Sequence, residues 1–156
     1  MRALATNRQA LAMPQPAIAG QIHQPFDVHR RLATQIAFDH LVGVSGVPIL
    51  IQSHDPKVII ETVRNIAPTF GAIKLEDIKA PECFEIEDTL DAELDIPVMH
   101  DDQHGTAVVV LAALLNATRF SGLMLSKSVV GVIGLGAAGM GISKLLLAYG
   151  VKEVIG

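Results

Sequence analysis

Short apolar runs alternate with amphipathic stretches along most of the chain. The apolar runs predict strands at residues 47–51, 72–75, 96–99, 128–133 and 151–155. Helical spacing of apolar positions predicts helices at residues 26–41, 56–66, 81–94, 105–120 and 137–149. Strands that alternate with helices are typical of parallel sheets, so we predict an α/β fold built from parallel-sheet βαβ units.

Local signals define the ends of two of these helices. Asp55 followed by Pro56 predicts a helix start, because aspartate caps a helix and proline suits its first turn. Gly150 predicts the end of the last helix. The helix at 105–120 is apolar almost all round, so we expect it to be buried on most sides.

Composition excludes several classes of protein. Half of the residues are apolar and 18% are charged, which is typical of a globular chain. The net charge is −4 and no basic patch occurs, so we do not expect a nucleic acid partner. The longest strongly apolar run, residues 107–115, is shorter than the roughly 20 residues of a membrane span. A single cysteine, Cys83, fits a reducing compartment, and we expect a cytoplasmic protein.

The start of the chain differs from the rest in composition. Residues 1–26 contain Arg2 and Arg8, and no acid precedes Asp27. Such a segment is compatible with a transit peptide. Its apolar residues show no clear period, however, so we favour a poorly ordered head over residues 1–35.

Two adjacent pairs of acids follow predicted strands. Glu76 and Asp77 follow the strand at 72–75, and Asp101 and Asp102 follow the strand at 96–99. If those strands are parallel, both pairs lie at the sheet edge where α/β proteins bind ligands. Four carboxylates in one place repel each other unless a cation lies among them, and Mg²⁺ or Mn²⁺ prefers such oxygen ligands. The alternative is that these acids are helix caps and solvated strand ends.

A glycine-rich segment follows the apolar strand at 128–133 and opens a helix. It has the GxGxxG spacing, with Gly134, Gly136, Ala137, Ala138 and Gly139. In that context the glycines allow a tight turn and a close approach to a pyrophosphate at the helix N-terminus. We therefore predict a site for NAD or NADP, with an ordinary glycine-rich turn as the alternative. The printed sequence ends at Gly156, so we expect an incomplete Rossmann dinucleotide-binding domain.

Four other residues near the acids deserve separate interpretation. His100 and His104 flank the acids and suit metal binding, surface hydrogen bonding or the orientation of a neighbour. Cys83 has no histidine placed beside it by sequence, so we interpret it as a small buried hydrophobe. Lys79 either neutralises a substrate carboxylate or pairs with Glu76.

Three long stretches together resemble the bacterial-type malic enzymes. They are LEDIKAPECFEIE, DIPVMHDDQHGTAVVVLAALLNA and VGVIGLGAAGMGISKLLLAYGVKEVI, within residues 47–156. The resemblance implies oxidative decarboxylation of malate to pyruvate and CO₂ with NAD or NADP and Mg²⁺ or Mn²⁺. It also implies part of the family's N-terminal substrate and metal domain at residues 36–100, and a truncated NAD(P)-binding domain at 101–156.

The resemblance implies roles for individual residues by motif position. Glu76, Asp77 and Asp102 resemble the family's metal ligands, and Asp101 is an adjacent site carboxylate and our only candidate catalytic residue. The glycines of the GxGxxG segment resemble the family's dinucleotide loop.

Two parts of the family's pattern are missing. The family uses a tyrosine and a lysine from its N-terminal part, whereas the only tyrosine here is Tyr149, which suits packing better. Thr34 falls at the position expected for the lysine, and residues 1–56 contain no lysine. Three hypotheses therefore stay open: a malic enzyme, an oxaloacetate decarboxylase of the same family, and a non-catalytic fragment that associates with a homologue. We expect a homo-oligomer or such an association, and marginal stability.

Overall fold

The computed structural model describes residues 19–23 and 43–156. The elements follow in the order β1 (Ala19–His23), β2 (Gly46–Leu50), α1 (Pro56–Ile66), β3 (Ala72–Leu75), α2 (Glu82–Glu93), β4 (Val98–His100), α3 (Asp101–Ser121), β5 (Val129–Gly131), α4 (Ala137–Tyr149) and β6 (Glu153–Ile155). Short 3₁₀ turns follow α1 and α3. The predicted α/β architecture is confirmed.

Four strands form one parallel sheet. Their order is β2-β1-β3-β4, and each neighbouring pair is parallel. The unit β3–α2–β4 is therefore the βαβ unit predicted from the sequence. Within the predicted head, residues 19–23 form β1, which pairs with a strand on each side. The helix predicted at 26–41, like the rest of the head, lies outside the described residues.

Helix α1 shows how local chemistry sets one boundary. The side chain of Asp55 accepts a hydrogen bond from the backbone N–H of Lys57 at 2.9 Å, which confirms the predicted N-cap. One face of the helix buries Ile59, Ile60 and Val63. This face packs with α2 into the main core, so the cap and the apolar stripe together place α1 against the sheet.

The main core lies between these two helices and the sheet. Its buried members are apolar side chains from α1, β3, α2 and the adjoining loops: Ile51, Ile59, Ile60, Val63, Ile73, Leu75, Ile78, Cys83, Ile86 and Leu90. Ala137, at the start of α4, also packs against this cluster. The main core therefore reaches the first residue of the helix that follows the glycine segment.

The second half of the chain forms a smaller unit. Strands β5 and β6 are parallel and are joined through α4, the strand–helix–strand pattern of a Rossmann domain. Helix α4 packs against α3. A second cluster of Leu125, Leu146 and Val151 holds this unit together. The helix predicted at 137–149 and its end at Gly150, which has a left-handed φ of 100°, are confirmed.

Helix α3 differs from its prediction in two ways. It begins at Asp101 instead of residue 105, because acids in a first turn interact favourably with the helix dipole. Only Gln103 and Ala107 are buried, whereas Val109 is 69% exposed and Phe120 is 98% exposed. The prediction of burial on most sides is therefore wrong for this chain, since α4 covers one face and the described elements leave others open. Within the described ranges no helix has the length and apolar character needed to cross a membrane.

Candidate functional site

The two pairs of acids lie side by side at one edge of the four-stranded sheet. Glu76 and Asp77 follow β3, Asp101 and Asp102 follow β4, and the register aligns the last residues of these parallel strands. The backbone N–H of Asp77 donates to Oδ2 of Asp102 at 2.9 Å. The prediction that the two pairs meet is confirmed, and we call these four residues the acid edge.

The backbone changes direction within the first pair. Strand β3 ends at Leu75, and Asp77 has a φ of 59°. This left-handed conformation is uncommon for residues other than glycine and is tolerated best by asparagine and aspartate. Neighbouring residues on a regular strand point to opposite faces. Because the strand ends before Asp77, Glu76 and Asp77 can serve one site.

A lysine lies among these carboxylates. The Nζ of Lys74 is 2.7 Å from Oε2 of Glu76 and 3.2 Å from Oδ2 of Asp101, and its side chain is 11% exposed. Burial alone would lower the pKa of Lys74, but the hydrogen bonds and charges of Glu76 and Asp101 together raise it above its ordinary value. The ammonium therefore stays charged and offsets the repulsion between acids.

Sequence reasoning had placed the cation elsewhere. Lys79 was one candidate partner of Glu76, but it lies 3.6 Å from Glu82 at the start of α2. Lys74 was missed, although its position two residues before Glu76 was a usable signal, because residues i and i+2 of a strand share a face.

Carboxylate oxygens are the ligands that Mg²⁺ and Mn²⁺ prefer, so the donor chemistry of the acid edge fits a divalent cation. Among the described residues, however, no three His, Cys, Asp or Glu side chains gather closely enough to hold one. Asp77 and Asp102 already lie together, whereas Glu76 bonds to Lys74. Binding through all three residues needs Glu76 to turn away from the lysine, and their assignment as ligands stays a prediction.

A buried carboxylate lies next to the acid edge. Glu87 of α2 is 8% exposed. It accepts hydrogen bonds from the backbone N–H of His100 at 2.6 Å and the side-chain amide of Gln103 at 2.7 Å, and Nε2 of His104 lies 2.9 Å away. Sequence reasoning missed Glu87, because nothing local distinguishes it from the exposed acids of the same helix.

The two histidines have different environments. His104 is half-exposed and lies against Glu87, which agrees with the interpretation that it orients a neighbour. His100 is fully buried, so the expectation of surface hydrogen bonding is wrong for it. Its Nε2 lies 3.4 Å from Oδ2 of Asp102, and burial lowers the pKa of the ring despite the nearby carboxylates. A neutral imidazole therefore packs beneath one of the site acids.

The glycine loop has the geometry expected of a nucleotide-binding turn. Gly134 has a φ of 93°, which favours glycine. A Cβ on Gly139 would lie 1.9 Å from the carbonyl oxygen of Gly134, whereas a Cβ on Gly136 would meet nothing within 4 Å. Gly136 is the N-cap of α4, and no side chain caps this helix, whose first residues are Ala137 and Ala138. The backbone N–H groups at this helix start are suited to an anionic group.

A further glycine brings the loop and the acid edge into one region. A Cβ on Gly141 would lie 2.5 Å from the backbone oxygen of Gln103, so α4 crosses very close to the first turn of α3. Gly141 was missed, although Ala137 one turn earlier gives the small-residue spacing of a close helix contact. The helix that begins at the glycine loop therefore touches the helix that begins with the acid edge.

Two candidates are not part of this arrangement. Cys83 is fully buried, which confirms its interpretation as a core residue, and burial together with the charge of Glu87 raises the pKa of its thiol to about 11. Tyr149 is the last residue of α4 and lines a shallow pocket of about 240 Å³ with Leu115 and Arg119. Thr34 lies outside the described residues.

Comparisons with known proteins agree on one family. The family model for the malic enzyme N-terminal domain matches residues 50–91, and the model for the malic enzyme NAD binding domain matches residues 103–155. NAD-dependent malic enzyme 1 of Bacillus subtilis is 59% identical over 119 residues, which cover 76% of this chain and 27% of that protein. The bifunctional malic/malolactic enzyme of the same organism is 48% identical and is covered over 29% of its length. The chain spans about a quarter of the length of these relatives.

Solved structures give the same result. The malic enzyme from Pyrococcus horikoshii superposes with a TM-score of 0.79 and 39% identity, over 86% of this chain and 34% of that one. The Entamoeba histolytica malic enzyme gives a TM-score of 0.78 and 34% identity, over 85% of this chain and 31% of that one. The chain belongs to the malic enzyme family and carries parts of its N-terminal and NAD-binding domains.

Proposed function

We propose that this chain takes part in the oxidative decarboxylation of malate to pyruvate and CO₂ with NAD or NADP. The observation that carries the proposal is the contact between the helix starting at the acid edge and the helix starting at the glycine loop, at Gln103 and Gly141. A substrate at the acid edge and a dinucleotide at the loop would then lie in one region. Relatives over the same stretch are named NAD-dependent and NADP-dependent malic enzymes.

The reaction has a simple proton balance. A hydride passes from C2 of malate to the nicotinamide, and the hydroxyl group on C2 loses a proton. The carboxylate attached to C3 leaves as CO₂, and one proton arrives at C3. The proton lost and the proton gained cancel, so the reaction needs a base at the hydroxyl group and an acid at C3 but no net proton.

Asp101 is our candidate for the base. Its carboxylate lies 3.2 Å from the ammonium of Lys74, beside the three predicted metal ligands. The ammonium, which is charged at neutral pH, also attracts a substrate carboxylate to this edge. Lys74 lies in β3, and Asp101 directly follows the adjacent parallel strand β4.

The other binding roles follow from donor chemistry. Glu76, Asp77 and Asp102 would hold Mg²⁺ or Mn²⁺, and Gly134, Gly136 and the start of α4 would receive the pyrophosphate. When bound, the divalent cation supplies Lewis-acid polarisation of the substrate oxygen on C2. When no divalent cation is bound, Lys74 offsets part of the negative charge of the acid edge.

The family's tyrosine and lysine have no equivalent at matching positions here. Tyr149 lies at the end of α4 opposite the loop, about 18 Å along the helix axis, and so it does not replace the tyrosine that serves the family as an acid. We therefore expect weak or no turnover by this chain alone. Exposed apolar side chains on α3 and near the loop, including Phe120 and Ile133, suit association with a second chain of the same family. We also propose that the reaction takes place in the cytoplasm.

The test measures reduced nicotinamide by its absorbance. The purified chain is mixed with L-malate, Mn²⁺ and either NAD or NADP, and a Glu76→Ala/Asp102→Ala double variant serves as the control. Cofactor reduction above the control would identify a working enzyme. No reduction, with Mn²⁺ and dinucleotide still bound, would mean that the chain holds the binding sites without the proton-transfer groups. A folded chain that binds neither ligand would refute the proposal.

Two additional measurements separate the alternatives. Pyruvate formed from oxaloacetate with Mn²⁺ and no nicotinamide would favour the decarboxylase. Gel filtration of the chain, alone and mixed with a full-length homologue, would reveal association. A chain that stays monomeric in both would contradict the expected oligomer.

A further inference from the structure

The start of α3, which carries two of the four site acids, is not capped by its own N-cap side chain. Its N-cap residue, His100, makes no side-chain cap. In a capping box, the Glu or Gln at position N3 accepts the backbone N–H of the N-cap residue. Position N3 here is Gln103, but its side-chain amide donates to Glu87. The N–H of His100 is bound by Glu87 as well, so α2 supplies the missing acceptor.

The contacts of Glu87 lie on both sides of the site acids. Residue 100 precedes Asp101 and Asp102, and residues 103 and 104 follow them. Because all three contacting residues meet one side chain of α2, the backbone that carries the two acids is held at both ends. Asp102 in turn accepts the N–H of Asp77, which connects the two halves of the acid edge.

Burying this carboxylate costs free energy, so its presence points to a role other than stability. A buried carboxylate loses several kcal/mol of hydration, which hydrogen bonds only offset, and a hydrophobic residue of similar volume is often as stable. The neighbouring inward positions of α2, Ile86 and Leu90, are fully buried apolar side chains. Oε1 of Glu87 meets His100 and His104, and Oε2 meets Gln103, so both oxygens are used.

We infer that Glu87 is a positioning residue for the acid edge: it fixes the first turn of α3 and thereby the placement of Asp101 and Asp102. The inference rests on the proposed function, which assigns these two acids their roles. Glu87 does not contact the substrate itself in this view. Its effect reaches the reaction through the backbone of residues 100–104.

The test compares two equivalent substitutions on the same helix in the full chain. Glu87→Gln keeps the volume but places an NH₂ group opposite donors and removes the charge. The matched control, Glu85→Gln, makes the same chemical change at an exposed position. The probe is Mn²⁺ alone, with free Mn²⁺ measured by electron paramagnetic resonance. We expect Glu87→Gln to weaken Mn²⁺ binding by about 10- to 100-fold, as other changes behind metal ligands do, and Glu85→Gln to bind as the parent does.

A second readout does not depend on the metal. Hydrogen exchange of the backbone amides at residues 100–104 should accelerate in Glu87→Gln, while exchange in α1 and α4 stays unchanged. Gln103→Met, which removes only one donor to Glu87, is the milder variant and decides the question if Glu87→Gln does not fold. It should give a smaller change of the same kind.

The outcomes separate this inference from the proposed function. Faster exchange at residues 100–104 together with weaker Mn²⁺ binding supports both. If the parent chain binds no Mn²⁺, the proposed metal site fails, and exchange alone then supports or overturns the role of Glu87. Unchanged exchange, or Mn²⁺ binding equal to that of the Glu85→Gln control, overturns the inference.

Discussion

For Gly139→Ala, helix propensity and steric contact predict changes in stability of opposite sign. Helix propensity alone predicts a gain of about 1 kcal/mol, because alanine is the better helix former. The structure places the new Cβ 1.9 Å from the carbonyl oxygen of Gly134 and 3.0 Å from its carbonyl carbon. Ordinary carbon–oxygen contacts lie at about 3.3–3.6 Å, so the loop or the helix must move by more than about 1 Å.

The atoms that the new Cβ would meet belong to the backbone of Gly134, which cannot rotate away as a side chain does. We expect overpacking to outweigh propensity and to reduce the free energy of unfolding by about 1–3 kcal/mol. For a chain of this size the melting temperature should fall by roughly 2 to 12 °C.

Gly136→Ala is the matched control in the same loop. A Cβ at that position would meet nothing within 4 Å, and its φ is −74°, which alanine adopts freely. Urea unfolding followed by circular dichroism should show no loss of stability, whereas calorimetry should show weaker NAD or NADP binding, because a methyl group would occupy the approach to the pyrophosphate. Equal unfolding free energies for the two variants would refute the steric argument. Unchanged dinucleotide binding by Gly136→Ala would refute the proposal that the pyrophosphate lies close to residue 136.

Three further predictions test other parts of the chain. Lys74→Met should lower the unfolding free energy by about 1–3 kcal/mol, because it removes the ammonium that lies between the carboxylates of Glu76 and Asp101. Added Mn²⁺ should restore part of the loss, and an equal loss with and without Mn²⁺ would contradict the electrostatic role. Asp55→Ala should cost about 0.5–2 kcal/mol in urea unfolding and Asp55→Ser much less, because only alanine leaves the N–H of Lys57 without a cap. The pKa of Cys83 is raised from 9.0 to about 11, so the thiol of the unfolded chain ionises first. The free energy of unfolding should therefore fall as pH rises from about 9 to about 11. A Cys83→Ala chain whose unfolding free energy falls equally over this range would argue against this.

Sequence reasoning was most successful where one residue's chemistry decides local structure. The cap at Asp55 and the end of α4 at Gly150 were predicted at the residues where they occur. The meeting of the acid pairs was also predicted, because the carboxyl ends of parallel strands share one edge of a sheet whatever the side chains are. Each of these follows from rules that act over a few residues or from the chirality of the chain.

The sequence by itself therefore determined the α/β architecture, the order of elements after β2, the acid edge and the glycine loop. Only the tertiary structure decided which side chains support them. Lys74, Glu87 and Gly141 were missed, because their partners depend on how separate strands and helices pack; Glu87 meets His100 and Gln103 from 13 and 16 positions away in the chain. The exposure of α3 was mispredicted for the same reason. Periodicity shows which faces of a helix are apolar, but whether another element covers them is decided by packing across the whole molecule.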